Sequence, residues 1–412
     1  MKKFLSIALA LLMVCVMLPV VALAADTLPE ADATTGEITL TENVTLSGDV
    51  TLDGKTINTA GYTITIAGNA TISNCTFKNA VEGISKPAAP RTVLYVATGA
   101  SLNIVGSKIQ TASYQPLVVE GTCTLDSTDL KCTVENNKYD GKAMVVVNGS
   151  GATFNMKSGS ITMVESTVMS DGMYGVYTSL GGTVNIGDAT THTGPTISSH
   201  CAALGMNNTT SPSTWNIYGG TFTSKLSTDD DTWKYKYFCA VLYISGEGVV
   251  NIYGGEFNGG NYAVSLPYSN TGVTVNVSGG TFNADDGLFY YREKTANGSG
   301  TPEVKINGGN FNDTLVAGDV ENKKMTVSGG TFADQENAKK YLENDKLVVN
   351  PATGKVESKT ITIIVPGDTT PAETPKTDDQ KNPSTGANDF VGLAAAAAVV
   401  ALLGSAVVLR KK

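Results

Sequence analysis

Three consecutive aspartates, Asp229, Asp230 and Asp231, with Trp233 and Tyr235 just beyond, form the densest group of chemistry-bearing side chains in this chain. Carboxylate oxygens are what a hard cation such as Ca²⁺ takes as ligands. Aromatic rings beside acids are also what a sugar-binding loop presents. Neighbouring aspartates meet on one ion only if the loop turns sharply, and the EF-hand spacing is absent. The same run therefore also reads as a solvated loop. Asp285 and Asp286, followed by Tyr290, Tyr291 and Arg292, repeat the theme more weakly. A different chemistry stands near the C-terminus, at Asn382-Pro383-Ser384-Thr385-Gly386. Pro383 presets an extended or kinked chain, and Gly386 leaves the backbone beside Thr385 sterically open.

Composition narrows what else the chain can do. His192 and His200 are its only histidines, and Arg91 and Arg292 its only arginines besides Arg410. Acid–base catalysis on a sugar chain needs carboxylates with separated roles, and no such constellation is recognisable. No catalytic residue is therefore assigned, and no cofactor is expected apart from the possible Ca²⁺ at the aspartates. Setting aside the basic residues of the two ends (Lys2, Lys3, Arg410, Lys411, Lys412) and Asp389 takes the formal net charge from −9 to −13. That sign disfavours nucleic acid as a partner. Besides Cys15, five cysteines remain at irregular spacing: Cys75, Cys123, Cys132, Cys201 and Cys239. An odd number without Cys-x-x-Cys does not form a disulfide framework, so buried small apolar thiols are the expected reading.

The ends explain how the chain travels. Met1-Lys2-Lys3, an apolar stretch from Phe4 to Leu18, and Ala22-Leu23-Ala24 have the order of a secretory signal, with cleavage before Ala25. At the other end, residues 390–409 are apolar or small and just long enough to span a bilayer, and Arg410-Lys411-Lys412 would stay cytoplasmic. Pentapeptide, span and basic tail together resemble the cell-wall sorting signal of Gram-positive surface proteins, the LPxTG type, with Asn382 where leucine is commonest. The resemblance implies that sortase cuts between Thr385 and Gly386 and joins Thr385 to peptidoglycan, with the membrane only a transient partner. The protein would then be extracellular and covalently held to the wall.

Between those ends a phrase repeats. Trp215-Asn216-Ile217-Tyr218-Gly219-Gly220-Thr221-Phe222 returns as Val250-Asn251-Ile252-Tyr253-Gly254-Gly255-Glu256-Phe257, and again ending at Phe282, Phe311 and Phe332. Weaker copies close at Phe77, Ile109, Leu130, Ile161 and Ile197. Apolar and polar residues alternate within each phrase, the period of a half-buried strand, and the glycine pair then turns the chain. A constant phrase at intervals of 21 to 36 residues means one rung per interval with inserts of variable length. A propeller would need longer, steadier intervals.

The expected fold is all-β, a solenoid of ten or more rungs with two or three strands each. Residues 25–333 would form it, with 37–66 as entry coils. Asp334 would cap a helix over 335–342 ahead of a hairpin, so that 334–365 closes the end. Residues 366–381, rich in Pro, Thr and Asp, would be an extended tether. The phenylalanines should stack in one interior column, and Asn103, Asn155, Asn185, Asn216, Asn251 and Asn276 should form an outward amide ladder. Tyr218 and Tyr253 share that outer face.

The Gly-Gly-Thr-Phe rungs resemble right-handed parallel β-helices of the pectin-lyase-like class. That class carries adhesins as well as lyases and hydrolases, so the resemblance specifies architecture and leaves activity open. The expected function is a non-enzymatic surface rod presenting loops to glycan or host protein; the alternative is a wall-anchored polysaccharide lyase or glycosidase. Binding is expected on the inserts between Phe222 and Phe257 and between Phe282 and Phe311, which hold both acid clusters and could lie on one side.

Overall fold

A computed structural model describes residues 27–79, 92–112, 115–132, 142–163, 173–225, 239–268, 272–291, 302–317 and 324–360. These residues form a parallel β-helix. Its rungs are built by strands as short as Val44–Leu46 and Thr56–Asn58, each too small to bury its apolar side alone. Stability comes from the register between rungs.

Each rung has three faces. The third face is a 12-stranded parallel sheet, from Glu37–Thr39 to Thr331–Phe332. Along it Ile38, Ile57, Phe77, Ile109, Leu130, Ile161 and Ile197 follow one another as direct partners. Phe222, Phe257, Phe282, Phe311 and Phe332 continue the column. The phenylalanine rings lie 5.1, 4.8, 5.0 and 4.7 Å apart between successive centroids. The expected interior column is thus present, and it extends two rungs further back than expected. Residues 37–66 are the first coils of the solenoid: Ile38 and Ile57 already occupy the column and are buried.

The first and second faces belong to one 20-stranded sheet. They are joined because Ala202–Ile217 and Ala240–Ile252 run unbroken through both. Elsewhere a corner separates them, as between Lys142–Val147 and Thr153–Met156. At roughly 4.8 Å per rung, twelve rungs make a rod on the order of 55 Å long.

The interior is aliphatic and aromatic throughout. Trp215 is fully buried, and its indole N–H donates to Thr178 Oγ1 on the preceding rung at 3.2 Å. Cys75, Cys123, Cys132, Cys201 and Cys239 are all buried, and none of the five is in a disulfide. Cys123 lies between Leu102 and Phe154 in the second-face column, and burial pushes its thiol pKa up. Cys75 is shifted the same way, chiefly by burial.

The C-terminal end is sealed. Asp334 caps the helix Gln335–Lys339 by accepting the Asn337 N–H at 3.0 Å. The helix stops three residues short of the expected Leu342 because Lys340 and Tyr341 bond back to Asn337 and Ala338 in a tighter turn. Leu347–Val349 and Val356–Ser358 form the antiparallel hairpin. Its Val356 N–H donates to Gly330 O at 2.9 Å, and Val327 N–H donates to Tyr341 O at 2.8 Å. Backbone groups of Val327, Gly330 and Phe332 that a further rung would have used are thereby occupied.

Candidate binding surfaces of the rod

On the second face Asn155, Asn185, Asn216, Asn251 and Asn276 stand in direct register. Each amide donates to the oxygen of the one before. The distances are 2.8 Å from Asn185 to Asn155, then 2.9 Å for each of the next three steps. The ladder starts from Thr124, whose Oγ1 accepts from Asn155 at 3.1 Å. Asn103, the first expected member, shares the column but meets Thr124 in place of an asparagine. At the far end Lys305 replaces the amide. Each internal amide keeps one N–H and one lone-pair direction for solvent.

Tyr218 and Tyr253 stack with centroids 5.1 Å apart and planes 9° from parallel. Their planes face along the rod, so they spend one ring face each on the other. What they offer outward is ring edge and hydroxyl, not a flat platform for a sugar.

The first face carries a buried aromatic cluster, separate from the main core, that sequence alternation alone does not reveal. Tyr174 stacks on Tyr177 at 4.8 Å and lies 5.9 Å from Tyr243. It does so by leaning over Gly205, where an added Cβ would meet the ring at 2.3 Å. Val118, Val146 and Ala202 pack into the same cluster. One rung beyond Tyr243, Tyr262 stacks on Tyr290 of the next rung at 4.7 Å. Tyr177 and Tyr243 share a column two rungs apart, but inserts of unequal length hid their common phase.

A charged network closes the corner between the first two faces. Tyr95 Oη donates to Glu120 Oε2 at 2.6 Å, Asn148 Nδ2 donates to Glu120 Oε1 at 3.0 Å, and Ser179 Oγ donates to Asn148 Oδ1 at 2.9 Å. Burial first, and the bond to Glu120 second, push the Tyr95 pKa up to about 12. A second amide ladder, Asn312 to Asn283 to Asn258 at 2.8 Å per step, runs beside the phenylalanine column. It too went unread in the sequence, because these asparagines follow the closing phenylalanine, outside the repeated phrase.

Of the candidate site residues, Tyr290 and Tyr291 are in the strand Gly287–Tyr291, with Tyr290 stacked as above. Asp229, Asp230, Asp231, Trp233, Tyr235 and Arg292 lie outside the described residues, as do Ala22, Ala24, Ala25 and the 382–386 motif. Among the described residues no three His, Cys, Asp or Glu side chains come together as metal ligands, and no helix is long and apolar enough to cross a membrane.

The flanking strands correct one expectation. The insert 226–238 springs from the corner between the third face (Thr221–Ser224) and the first (Ala240–Ile252). The insert 292–301 springs from the corner between the first face (Gly287–Tyr291) and the second (Glu303–Ile306). The described strands that flank the two inserts thus end at opposite ends of the first face, two rungs apart, and the inserts themselves lie outside the described residues.

The fold and its outward columns define a three-faced parallel β-helix with a sealed C-terminal end. Comparison of the chain with family models, with curated proteins and with solved structures gives no match.

Proposed function

We propose that this chain is a secreted bacterial surface protein, joined to peptidoglycan through Thr385 by sortase, whose β-helix is a non-enzymatic rod presenting surfaces for adhesion to glycan or protein. The observation that carries the rod reading is the direction of its outward polar groups. The Asn155–Asn276 ladder and the Tyr218–Tyr253 pair run along the axis and bond to one another. A hydrolytic or eliminating site needs groups aimed at one bond of a substrate; a ladder serves stiffness and an extended contact. The leader at 1–24 and the sorting-type signal at 382–412 support export and anchoring.

Two experiments test the halves of this reading separately. Thr385→Ala should move the protein from the wall fraction into membrane or medium, and an unchanged wall-bound yield would refute the anchoring. The purified rod should bind ligands on a glycan array while releasing no reducing ends from wall or plant polysaccharides. Steady release would make it the lyase or glycosidase instead.

A further inference from the structure

We propose that the N-terminal end of the rod is a docking edge for an extended, basic segment of another protein, which adds as a strand against Asp49–Asp53. The two ends of the solenoid are finished differently. At the C-terminal end, helix and hairpin bond to Val327, Gly330 and Phe332 of the last rung. At the N-terminal end Asp49–Asp53 pairs with Asn69–Ser73 on one edge, and no strand among the described residues lies against its other edge.

The first rung is covered only in part. Ile38, Leu40, Val44 and Leu46 are buried, with Leu28 packed nearby. Val50 and Leu52 are half-buried, although their partners one rung up, Ala70 and Ile72, are buried at 5% and 0% exposure. Apolar surface that every later rung conceals is therefore open on this strand alone.

Backbone directions follow from two bonds. Asn69 N–H donates to Gly48 O at 2.8 Å, and Gly54 N–H donates to Ser73 O at 3.0 Å. In a parallel ladder successive residues turn their N–H and C=O to opposite neighbours. Residues 48, 50, 52 and 54 thus face the second rung, while Asp49, Thr51 and Asp53 turn theirs to the open side. Such a row is a template for strand addition.

Charge selects the occupant. Asp49 accepts from Asn69 Nδ2 at 2.9 Å, and Asp53 accepts from Ser73 Oγ at 2.7 Å and Asn74 Nδ2 at 3.0 Å. The Asp53 bonds, that from Ser73 foremost, hold its pKa below the ordinary aspartate value. Both carboxylates are fixed from below, one at each end of the open strand. A strand that continues the register sets apolar residues over Val50 and Leu52, and its first and last residues beside Asp49 and Asp53. Basic residues fit there. A second copy of this tip would set aspartate against aspartate, and like charges directly opposite are unfavourable.

The inference leans on the proposed function only for orientation: a rod tethered by its C-terminus holds this end outermost. The test is fluorescence anisotropy of the purified full chain with a labelled peptide Gly-Lys-Val-Thr-Val-Lys-Gly, against the same peptide with both lysines replaced by glutamate. Saturable binding of the basic peptide is expected, at least tenfold tighter than the acidic one and weakened by salt. Thr51→Pro removes an open-side N–H without touching the bonds to the second rung, a place where an edge strand tolerates proline. It should weaken binding at least tenfold with an unchanged melting curve. The double change Asp49→Asn, Asp53→Asn should erase the preference for lysine, and it keeps the test decisive if the proline variant fails to fold. No saturable binding, equal binding of both peptides, or dimers formed through this end would overturn the proposal. Those outcomes leave the wall-fraction result for Thr385→Ala untouched, so the two readings fail separately.

Discussion

The early and late rungs of this solenoid solve the same corner in two ways. Between the second and third faces the early rungs turn on one left-handed residue, as at Asn74 with φ 53°. Side-chain bonds secure the turn: Asn74 Nδ2 to Asp53 at 3.0 Å, and Cys75 N–H to Ser107 Oγ at 3.0 Å. From Gly219 onward the turn is a glycine pair. At Gly279 an added Cβ would sit 2.3 Å from the Tyr253 carbonyl oxygen of the rung below. At Gly280 φ is +101°, and the rings of Phe257 and Phe282 lie 3.5 and 3.4 Å from where a Cβ would be. The change of corner coincides with the start of the run of stacked phenylalanines in the third-face column, although a single ring, Phe77, also follows the Asn74 corner. A stacked ring reaches further toward the corner than isoleucine or leucine does, and a glycine corner leaves it the room. Corner and core thus go together in the later half, where ring stacks on ring.

That coupling can be broken experimentally. Phe282→Ala should cost about 3–5 kcal/mol, because its ring packs on Phe257 and Phe311 and approaches Phe289 at 6.1 Å. Denaturant unfolding would show this as a lowered midpoint. Leu130→Ala in the early column should cost about 2–5 kcal/mol without disturbing its corner. A late-column alanine that proves milder than the early one would sink the idea that the rings carry the later half.

Next in size is the glycine. Gly280→Ala forces a left-handed conformation on an alanine already crowded by two rings, at about 1–3 kcal/mol. Asn74→Gly should change stability by only a few tenths, since glycine accepts the same turn and only one exposed bond to Asp53 is lost. Equal effects at the two corners would show that the halves do not differ as argued.

Much of this was legible beforehand, for reasons that are residue-specific. The phrase ending in Phe222 repeats with its phase intact, so the column and the ladder from Asn155 to Asn276 could be read directly. The entry coils could be read from the alternation of Ile38, Leu40, Val44 and Leu46, but Ile38 and Ile57 were not placed in the column because they stand in short strands without glycine pairs. The first-face tyrosines were missed because the third-to-first corner carries inserts such as 80–91, 133–141 and 164–172. Such inserts erase any fixed spacing between Tyr95, Tyr177 and Tyr243. The places of the inserts could not be assigned to corners until each strand had been assigned to a face.

The amide ladder offers a smaller contrast. Asn216→Ala removes one bond to Asn185 and one from Asn251, at about 1 kcal/mol for each. Thr124→Val at the ladder's start removes a single acceptor and should cost less. Double mutants along the ladder should be less harmful than the sum of singles, since adjacent amides share bonds.

Smallest is the response to acid, and it belongs to the early rungs. Glu37 accepts from Lys78 Nζ at 2.9 Å, which lowers its pKa, as the Ser73 and Asn74 bonds lower that of Asp53. A carboxylate with a lowered folded pKa stabilises above its unfolded value, and that contribution fades as pH falls through the folded one. Hydrogen exchange below about pH 4 should therefore quicken first around the strands Glu37–Thr39 and Asp49–Asp53, with the phenylalanine rungs still protected. Uniform loosening along the rod would show that these exposed pairs carry no local weight.

The hairpin at the C-terminal end has a mechanical meaning on the proposed wall-anchored arrangement. Tension on the tether enters the folded rod at Ser358, the open end of the hairpin, opposite Leu347. Force there parts one cross-strand pair after another, Leu347 from Ser358, then Val348 from Glu357, then Val349 from Val356. The rungs beyond are held by all three faces at once, so shearing them loads many bonds together. Under flow or pulling, the rod would give first at its seal, lengthening by a dozen residues while every rung stays shut.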